Sequence, residues 1–437
     1  MPDTEAKRVS LEIVNASDRE ALGGLFEGGW NPPLAVVFAV RAILDDVRLR
    51  GDVALLEYTR RWDHAQAELD ALRVEIPSRK NARALVPEQI ATGLELARER
   101  IADFHARQLP APIDYHVHDM THYAYLSRPL GAVGAYVPGG SASLPSTVLM
   151  TVVPAKVAGV ARVVVVTPPQ RDGTIDPAVL YACALTGVDE LYAVGGAQAI
   201  AALAYGTPTI APVDKIVGPG NVYVTEAKRQ VFGACGIDGL AGPSEVLVVA
   251  DAGARAELVA GELVAQAEHD PLARVAVVSR HRPLLFAVID LLQGPFGQKS
   301  GRDAIVAKVL AERTWIVHAL RDEEIVEVID RFAPEHLSLM VADPAEWIPK
   351  IRRAGAIFVG EHTPVAAGDY IAGTNHTLPT SGAARFSSGL RTIDYQRTMT
   401  LVENSAQRMR DDAPLLAALA DFEGLPAHAR TARLRGG

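Results

Sequence analysis

Apolar residues recur at spacings of three and four through Leu34, Val37, Val40, Ile43, Leu44 and Val47, directly after Asn31-Pro32-Pro33. This spacing puts them on one face of a helix. Proline suits its entrance because the first N–H groups of a helix have no internal partner. Gly51-Asp52 closes that helix, and 53–62 reads as the next. Residues 87–108, rich in Ala, Leu, Glu and Arg and closed by Pro110 and Pro112, read as a long third helix. The first ~110 residues are therefore expected to be largely helical.

The texture changes at 130–137, where small and β-branched residues take over, and from there strand, glycine turn and helix alternate. Residues 162–167 form an apolar run stopped by Pro168-Pro169, and 191–194 another, followed by Gly195-Gly196 and a helix over 197–204. A short strand at 215–217 ends at Gly218-Pro219-Gly220-Asn221. Strands at 245–250 and 274–279 flank a helix from about 254 to 268, and 356–359 is a buried-strand candidate ending at Gly360. Continuous β-branched runs alternating with helices predict parallel sheet covered on both faces. The expected class is α/β, with two successive doubly wound units. After Ile393 the pattern reads as helical again, with Val402 and Met409 among polar neighbours, and it ends in an Ala/Leu-rich helix over 413–420. This tail has too few apolar residues for a core of its own. It is expected to lie on another surface, such as that of a second subunit.

Composition narrows the functional classes. A chain of 437 residues exceeds one ordinary core, and 49% hydrophobic with 22% charged residues is globular. The net charge of -9, without a Lys/Arg run, argues against nucleic acid or an anionic membrane as partner. Cys183 and Cys235 fall in no CxxC pattern, which excludes a disulfide framework, fits a reducing cytoplasm and leaves both as buried spectators. Residues 1–20 lack an apolar leader segment. The most apolar stretch, 146–169, is broken by Pro154, Lys156 and Arg162, too interrupted for a membrane span.

The candidate chemistry concentrates in 331–390. Glu335 and His336 sit side by side after Pro334, Asp369 follows Gly368 in an expected loop, and His376 follows Asn375. An acid and a base gathered near strand ends is a common way for α/β enzymes to build a site. Loops this long are uncommon unless functional, and Tyr370, Ile371, Leu378 and Phe386 argue that this one is ordered. Upstream, Gln266 and His269 lie three apart near a helix end, so both can point at one ion; the alternative is a terminal His satisfying carbonyls. Asp369 and a later His would complete a four-coordinate N/O set suited to zinc. Neither a GxGxxG nor a GxxxxGK[ST] motif is present. Glycine turns at 138–140, 195–198 and 218–221 could let backbone approach a phosphate, or could simply end strands.

Several of these segments resemble histidinol dehydrogenase: Gly242-Pro243-Ser244-Glu245, residues 266–270, Ala333-Pro334-Glu335-His336-Leu337 and Gly368-Asp369-Tyr370. Tyr136-Val137-Pro138-Gly139-Gly140, 195–199 and 214–221 look like further parts of the same pattern, in order from about 35 to 430. The resemblance implies oxidation of L-histidinol through histidinal to L-histidine with reduction of two NAD, on two incomplete Rossmann-like units with helical extensions at both ends. It implies zinc on Gln266, His269, Asp369 and His428 and an acid/base pair in Glu335 and His336. It further implies NAD contacts from Tyr136, Gln198 and Asn221, and a substrate surrounded by Ser244, Tyr370, His376 and Glu423 besides the zinc ligands and His336. The implied organisation is an N-terminal extension over 1–30, and a discontinuous substrate and metal unit over 31–136 and 247–390. An NAD unit covers 137–246, and a dimerisation tail covers 391–437 of a homodimer with exchanged segments.

Two other readings stand beside this one. A related zinc and NAD dehydrogenase could oxidise a different small alcohol, such as a sulfonated diol; Glu423 and His428 suit a cationic amine and an imidazole and so favour histidinol. A non-catalytic zinc- or nucleotide-binding protein is the other, which the intact Glu335-His336 pair argues against.

Overall fold

The structure is a computed structural model that describes residues 11–118, 120–139, 143–294 and 301–436. Gly140 of the first glycine turn and residues 1–10 of the expected N-terminal extension lie outside the described residues. The strands, numbered in chain order, form three sheets among the described residues.

The first sheet is wholly parallel in its pairings. It contains β1 (Ile13–Asn15), β10 (Glu245–Ala250), β11 (Arg274–Ser279), β12 (Thr314–His318), β13 (His336–Met340) and β14 (Ala356–Val359), in the order β1-β12-β11-β10-β13-β14. The second contains β2 (Arg73–Val74), β5 (Ala132–Tyr136), β6 (Arg162–Thr167), β7 (Glu190–Ala193), β8 (Lys215–Val217) and β9 (Gly236–Ile237), in the order β2-β7-β6-β5-β8-β9. Only the β2–β7 pair is antiparallel there. Without the added edge strands β1 and β2, each sheet is wound in the same way: two strands step outward from the first, then the chain crosses back and adds two on its other side. This is the Rossmann order short of its sixth strand. The two halves therefore repeat in topology although no residue-level repeat is visible. Every residue of β10 and β11 is buried, as expected for strands covered on both faces.

The helices of 34–106 belong with the second sheet, which corrects the expected grouping of 31–136 with 247–390. Val36, Val40, Ile43, Leu44 and Val47 of the helix Leu34–Arg50 share a core with Tyr136, Val164, Val166 and Ile200. Ala91, Leu94, Ala97 and Ile101 of the helix Glu88–Ala106 pack with Val148, Val152 and Val165. An apolar stripe says that a helix has a buried face but not which sheet it covers.

A second correction concerns the segment after Ile393. Gln396–Asn404 is a strand, β15, in a third, antiparallel sheet with β4 (Thr121–Pro129) and β3 (Ile113–Val117). It pairs with β4 along its whole length, from Gln396 opposite Pro129 to Asn404 opposite Thr121. Thr398, Thr400 and Val402 favour this, but the pairing spans far too much sequence for local periodicity to reveal. Beyond it, the helices Ala406–Phe422 and Pro426–Gly436 bury little more than Ala413, Ala417, Ala420, Ala429 and Ala432. Leu415, Leu419, Phe422 and Leu434 are exposed, Phe422 at 92%. No helix among the described residues is long and apolar enough to cross a membrane.

Candidate active site

The helix Asp322–Phe332 ends at Ala333, whose φ of 48° turns the chain sharply before Pro334. The Glu335-His336 pair thus escapes helical geometry, and His336 opens β13 between Val246 of β10 and Ala356 of β14. Both side chains are buried, at 5% and 4% exposure. The helix Ala256–Ala267 runs back from the far end of β10 and finishes at this same edge, carrying Gln266 in its last turn and His269 just beyond. Asp369, expected in a loop, lies instead near the end of the short helix Val365–Tyr370, which returns from β14. The cluster therefore forms at the amino-terminal edge of the first sheet. Parallel α/β sheets more often bind ligands at the opposite edge.

Hydrogen bonds fix how the groups face one another. His336 Nδ1 donates to the carbonyl of Glu245 at 2.9 Å, and His336 Nε2 lies 3.9 Å from Asp369 Oδ1. Glu335 Oε2 accepts the backbone N–H of Glu245 at 2.9 Å and stands 3.5 Å from His336 Nδ1. His376 Nδ1 donates to the carbonyl of Asp369 at 3.1 Å, leaving its Nε2 near the Thr147 hydroxyl at 3.4 Å. Burial pushes the His336 imidazole below its usual range against the pull of Asp369, and the positive charge that His269 or His376 could carry lowers it further. His376 is likewise lowered by burial. Burial, then the charges of Glu245 and Asp369, raise Glu335 well above an ordinary carboxylate despite the Glu245 N–H. The edge thus holds an imidazole kept neutral by burial beside a carboxyl group that, once ionised, is a stronger base than an ordinary carboxylate.

Two supporting residues were not anticipated. Glu245 and Arg274 head the apolar strands β10 and β11 and form a buried ion pair directly behind Glu335. Glu245 also accepts the Ser381 N–H at 3.0 Å, and Arg274 donates to the Leu25 carbonyl at 3.0 Å. The signal was available: a charge at the head of an otherwise apolar parallel strand is costly unless paired.

The remaining candidates divide clearly. Ser244 immediately precedes β10 at the same edge, and Tyr370 is exposed beside Asp369. Glu423 and His428 are exposed in the tail, and among the described residues 406–436 is bonded to the rest of the chain only through Ser405, the cap of its first helix. The structure does not bring these two to the cluster of their own chain. Tyr136, Gln198 and Asn221 collect at the carboxyl edge of the second sheet, at the end of β5 and at the starts of the helices Gly196–Tyr205 and Val222–Val231. Tyr136 and Gln198 are enclosed: the Tyr136 hydroxyl accepts the Gly196 N–H at 3.3 Å, and half-buried Asp63 takes the Gly195 N–H and the Gln198 amide at 2.9 and 3.1 Å. Asn221 is exposed and caps its helix through the N–H groups of Tyr223 and Val224. The glycine turns are tight packing points here; a Cβ on Gly218, at φ 105°, would stand 2.2 Å from the Tyr136 carbonyl oxygen.

The first edge fits a zinc ion on its donors. Gln266 is 3% exposed and its amide nitrogen has no hydrogen-bond partner, a cost that an amide turned onto a metal would remove. An amide oxygen, an imidazole and a carboxylate form an N/O set suited to zinc, placed where the partial negative charge of a helix C-terminus favours a cation.

The sequence profile of the histidinol dehydrogenase family matches residues 34–436. The histidinol dehydrogenase of Rhodospirillum rubrum is 46% identical over 430 residues, 96% of either chain. That of Gluconobacter oxydans is 45% identical over 425 residues, 97% of this chain and 98% of its own. The crystal structure of histidinol dehydrogenase from Elizabethkingia anophelis superposes with a TM-score of 0.91 at 33% identity, covering 98% of both chains. The chain belongs to the histidinol dehydrogenase family, the zinc-binding, NAD-dependent oxidoreductases of histidine biosynthesis.

Proposed function

We propose that the amino edge of the first sheet is the catalytic centre, with His336 as the base and Glu335 as its partner. The observation that carries this is the His336 tautomer. A carbonyl oxygen only accepts, so the Glu245 carbonyl keeps the proton on Nδ1 and turns the Nε2 lone pair toward Asp369. Gln266, His269 and Asp369 would hold zinc with His428, and a zinc ion there would supply a template for the imidazole and amino group of histidinol. His336 takes the hydroxyl proton from the substrate carbon as it is oxidised. NAD, when bound, would supply the hydride acceptor for each of the two oxidations. Glu335 removes a proton from the water that adds to histidinal, and His336 acts again as the hydrate becomes the carboxylate. Overall, histidinol, water and two NAD give histidine, two NADH and the released protons. Ser244, Tyr370 and His376 surround the substrate, and Glu423 meets its cationic amine.

The second sheet, with the helices of 34–106 packed on it, is the coenzyme unit. Asn221 forms its open contact, and Tyr136 and Gln198 shape that edge from beneath. The buried free thiols Cys183 and Cys235 support a reducing compartment, the cytoplasm.

The working unit is a homodimer whose tails cross, so Glu423 and His428 complete the site of the other copy. The exposed Leu415, Leu419, Phe422 and Leu434 support this, because a hairpin this apolar on its outer face is stable in water when another surface covers it. Mixing unfolded-and-refolded His336→Asn and His428→Ala chains, each inactive alone, is the test. Recovered activity in the hybrid supports exchanged tails, and no recovery contradicts them.

A further inference from the structure

The antiparallel sheet that carries the tail strand holds a second set of metal-type donors, far in sequence from Gln266, His269 and Asp369. Its pairing brings them together. His116 of β3 stands directly opposite His122 of β4, and His122 directly opposite Glu403 of β15. Directly opposed residues of an antiparallel sheet share a face, so these three form one row across all three strands. Asp114, two residues before His116, lies on that same face opposite Ala124, whose small side chain leaves room beside it.

The contacts in this row suit a cation. His122 Nε2 is 2.9 Å from Asp114 Oδ1, while His122 Nδ1 is 3.6 Å from Glu403 Oε2. A neutral imidazole has one N–H to offer, so an acceptor at each nitrogen leaves one of them facing a carboxylate oxygen lone pair to lone pair. A proton or a metal ion at one of the two nitrogens would let both carboxylates face a positive partner. The His116 ring stacks on His122 with centroids 4.5 Å apart and planes 12° from parallel, which places another imidazole at the same spot. Donor atoms of Asp114, His116 and His122 all lie within 4.8 Å of one another. Asp114 and His116 are exposed, so small side-chain rotations suffice to draw the three onto one ion at ~2 Å bond lengths.

We propose that Asp114, His116 and His122 bind a second divalent transition-metal ion, with Glu403 accepting the His122 Nδ1–H behind it. A carboxylate behind a ligating imidazole fixes its tautomer and strengthens it as a donor. Two imidazoles and a carboxylate select zinc, cobalt or nickel over magnesium or calcium. Because the row spans β3, β4 and β15, the ion fastens the strand that leads into the tail.

Equilibrium dialysis of the full-length protein against zinc, followed by metal counting, tests this. The wild type should bind about two ions per chain. His122→Ala and, separately, His116→Ala should bind about one, with histidinol oxidation unchanged, because neither residue belongs to the catalytic centre. The exposed His116 position guards against a folding artefact at His122. One ion per chain in the wild type would mean that a proton alone fills the gap, and two ions in both variants would place the extra ion elsewhere; either result overturns the proposal.

Discussion

His336 Nδ1 donates to the backbone carbonyl of Glu245 across 2.9 Å, joining the first residue of β13 to the first of β10. The bond is part of the sheet edge, so side-chain replacements elsewhere leave its acceptor in place. It holds the imidazole in one tautomer before any ligand arrives, which is the preorganisation a general base needs.

Behind that edge, Arg274 neutralises Glu245 in a site where neither side chain exceeds 8% exposure. Arg274→Met leaves an uncompensated buried carboxylate and should cost about 3–5 kcal/mol of unfolding free energy. Adding Glu245→Gln should return a large part of it. Urea denaturation of the three proteins checks this, and a single-variant loss under about 1 kcal/mol would contradict the pairing.

Gly355 has its own positional demand. A Cβ there would sit 2.5 Å from the Glu335 carbonyl oxygen and 3.2 Å from Pro379. Backbone cannot give way as a flexible side chain can, so Gly355→Ala should push Glu335 and His336 out of line. Overpacking of this kind costs about 1–3 kcal/mol, and kcat should fall at least tenfold. Steady-state kinetics alongside thermal unfolding separates the two effects.

The acid limb of stability should depend on Glu226. Burial alone would raise it, but bonds from Arg229, Trp30 and Gln230 carry it down to about 2. A carboxylate lowered in the folded state stabilises the fold above its unfolded pKa. That contribution fades as pH falls from about 5 toward 2. At about 1.4 kcal/mol per unit, the displacement corresponds to about 3 kcal/mol, which solvent screening at the half-exposed Arg229 reduces to the order of 2 kcal/mol at neutral pH. Glu226→Gln should therefore be less stable than wild type at pH 7 and show a shallower decline below pH 5. Parallel curves for the two proteins would contradict the assignment.

How far the sequence revealed this molecule depended on the range of each interaction. The helix Leu34–Arg50 and the strands β6, β10 and β11 were legible because their signals are local: apolar spacing in one case, continuous apolar runs in the others. Glu335 and His336 were legible as a pair because they are adjacent, and Gln266 with His269 because three residues make one helical turn. The sheet that each N-terminal helix covers, and β15 with its partner nearly 300 residues away, depend on long-range pairing that periodicity does not encode. The Glu245–Arg274 support was readable in principle, since each charge heads an apolar strand, but their being neighbours was not. The burial of Tyr136 and Gln198 was hidden for the same reason: Asp63, which helps hold that edge together, comes from a helix end far away in the sequence.

The central claim is that His336 is the base and not a metal ligand. Zinc content and turnover of His336→Asn, measured on one preparation, test it most directly. Zinc per chain should equal wild type while turnover falls at least about a hundredfold, in the range typical for loss of a general base. Turnover within a few-fold of wild type, or zinc lost together with activity, would contradict it.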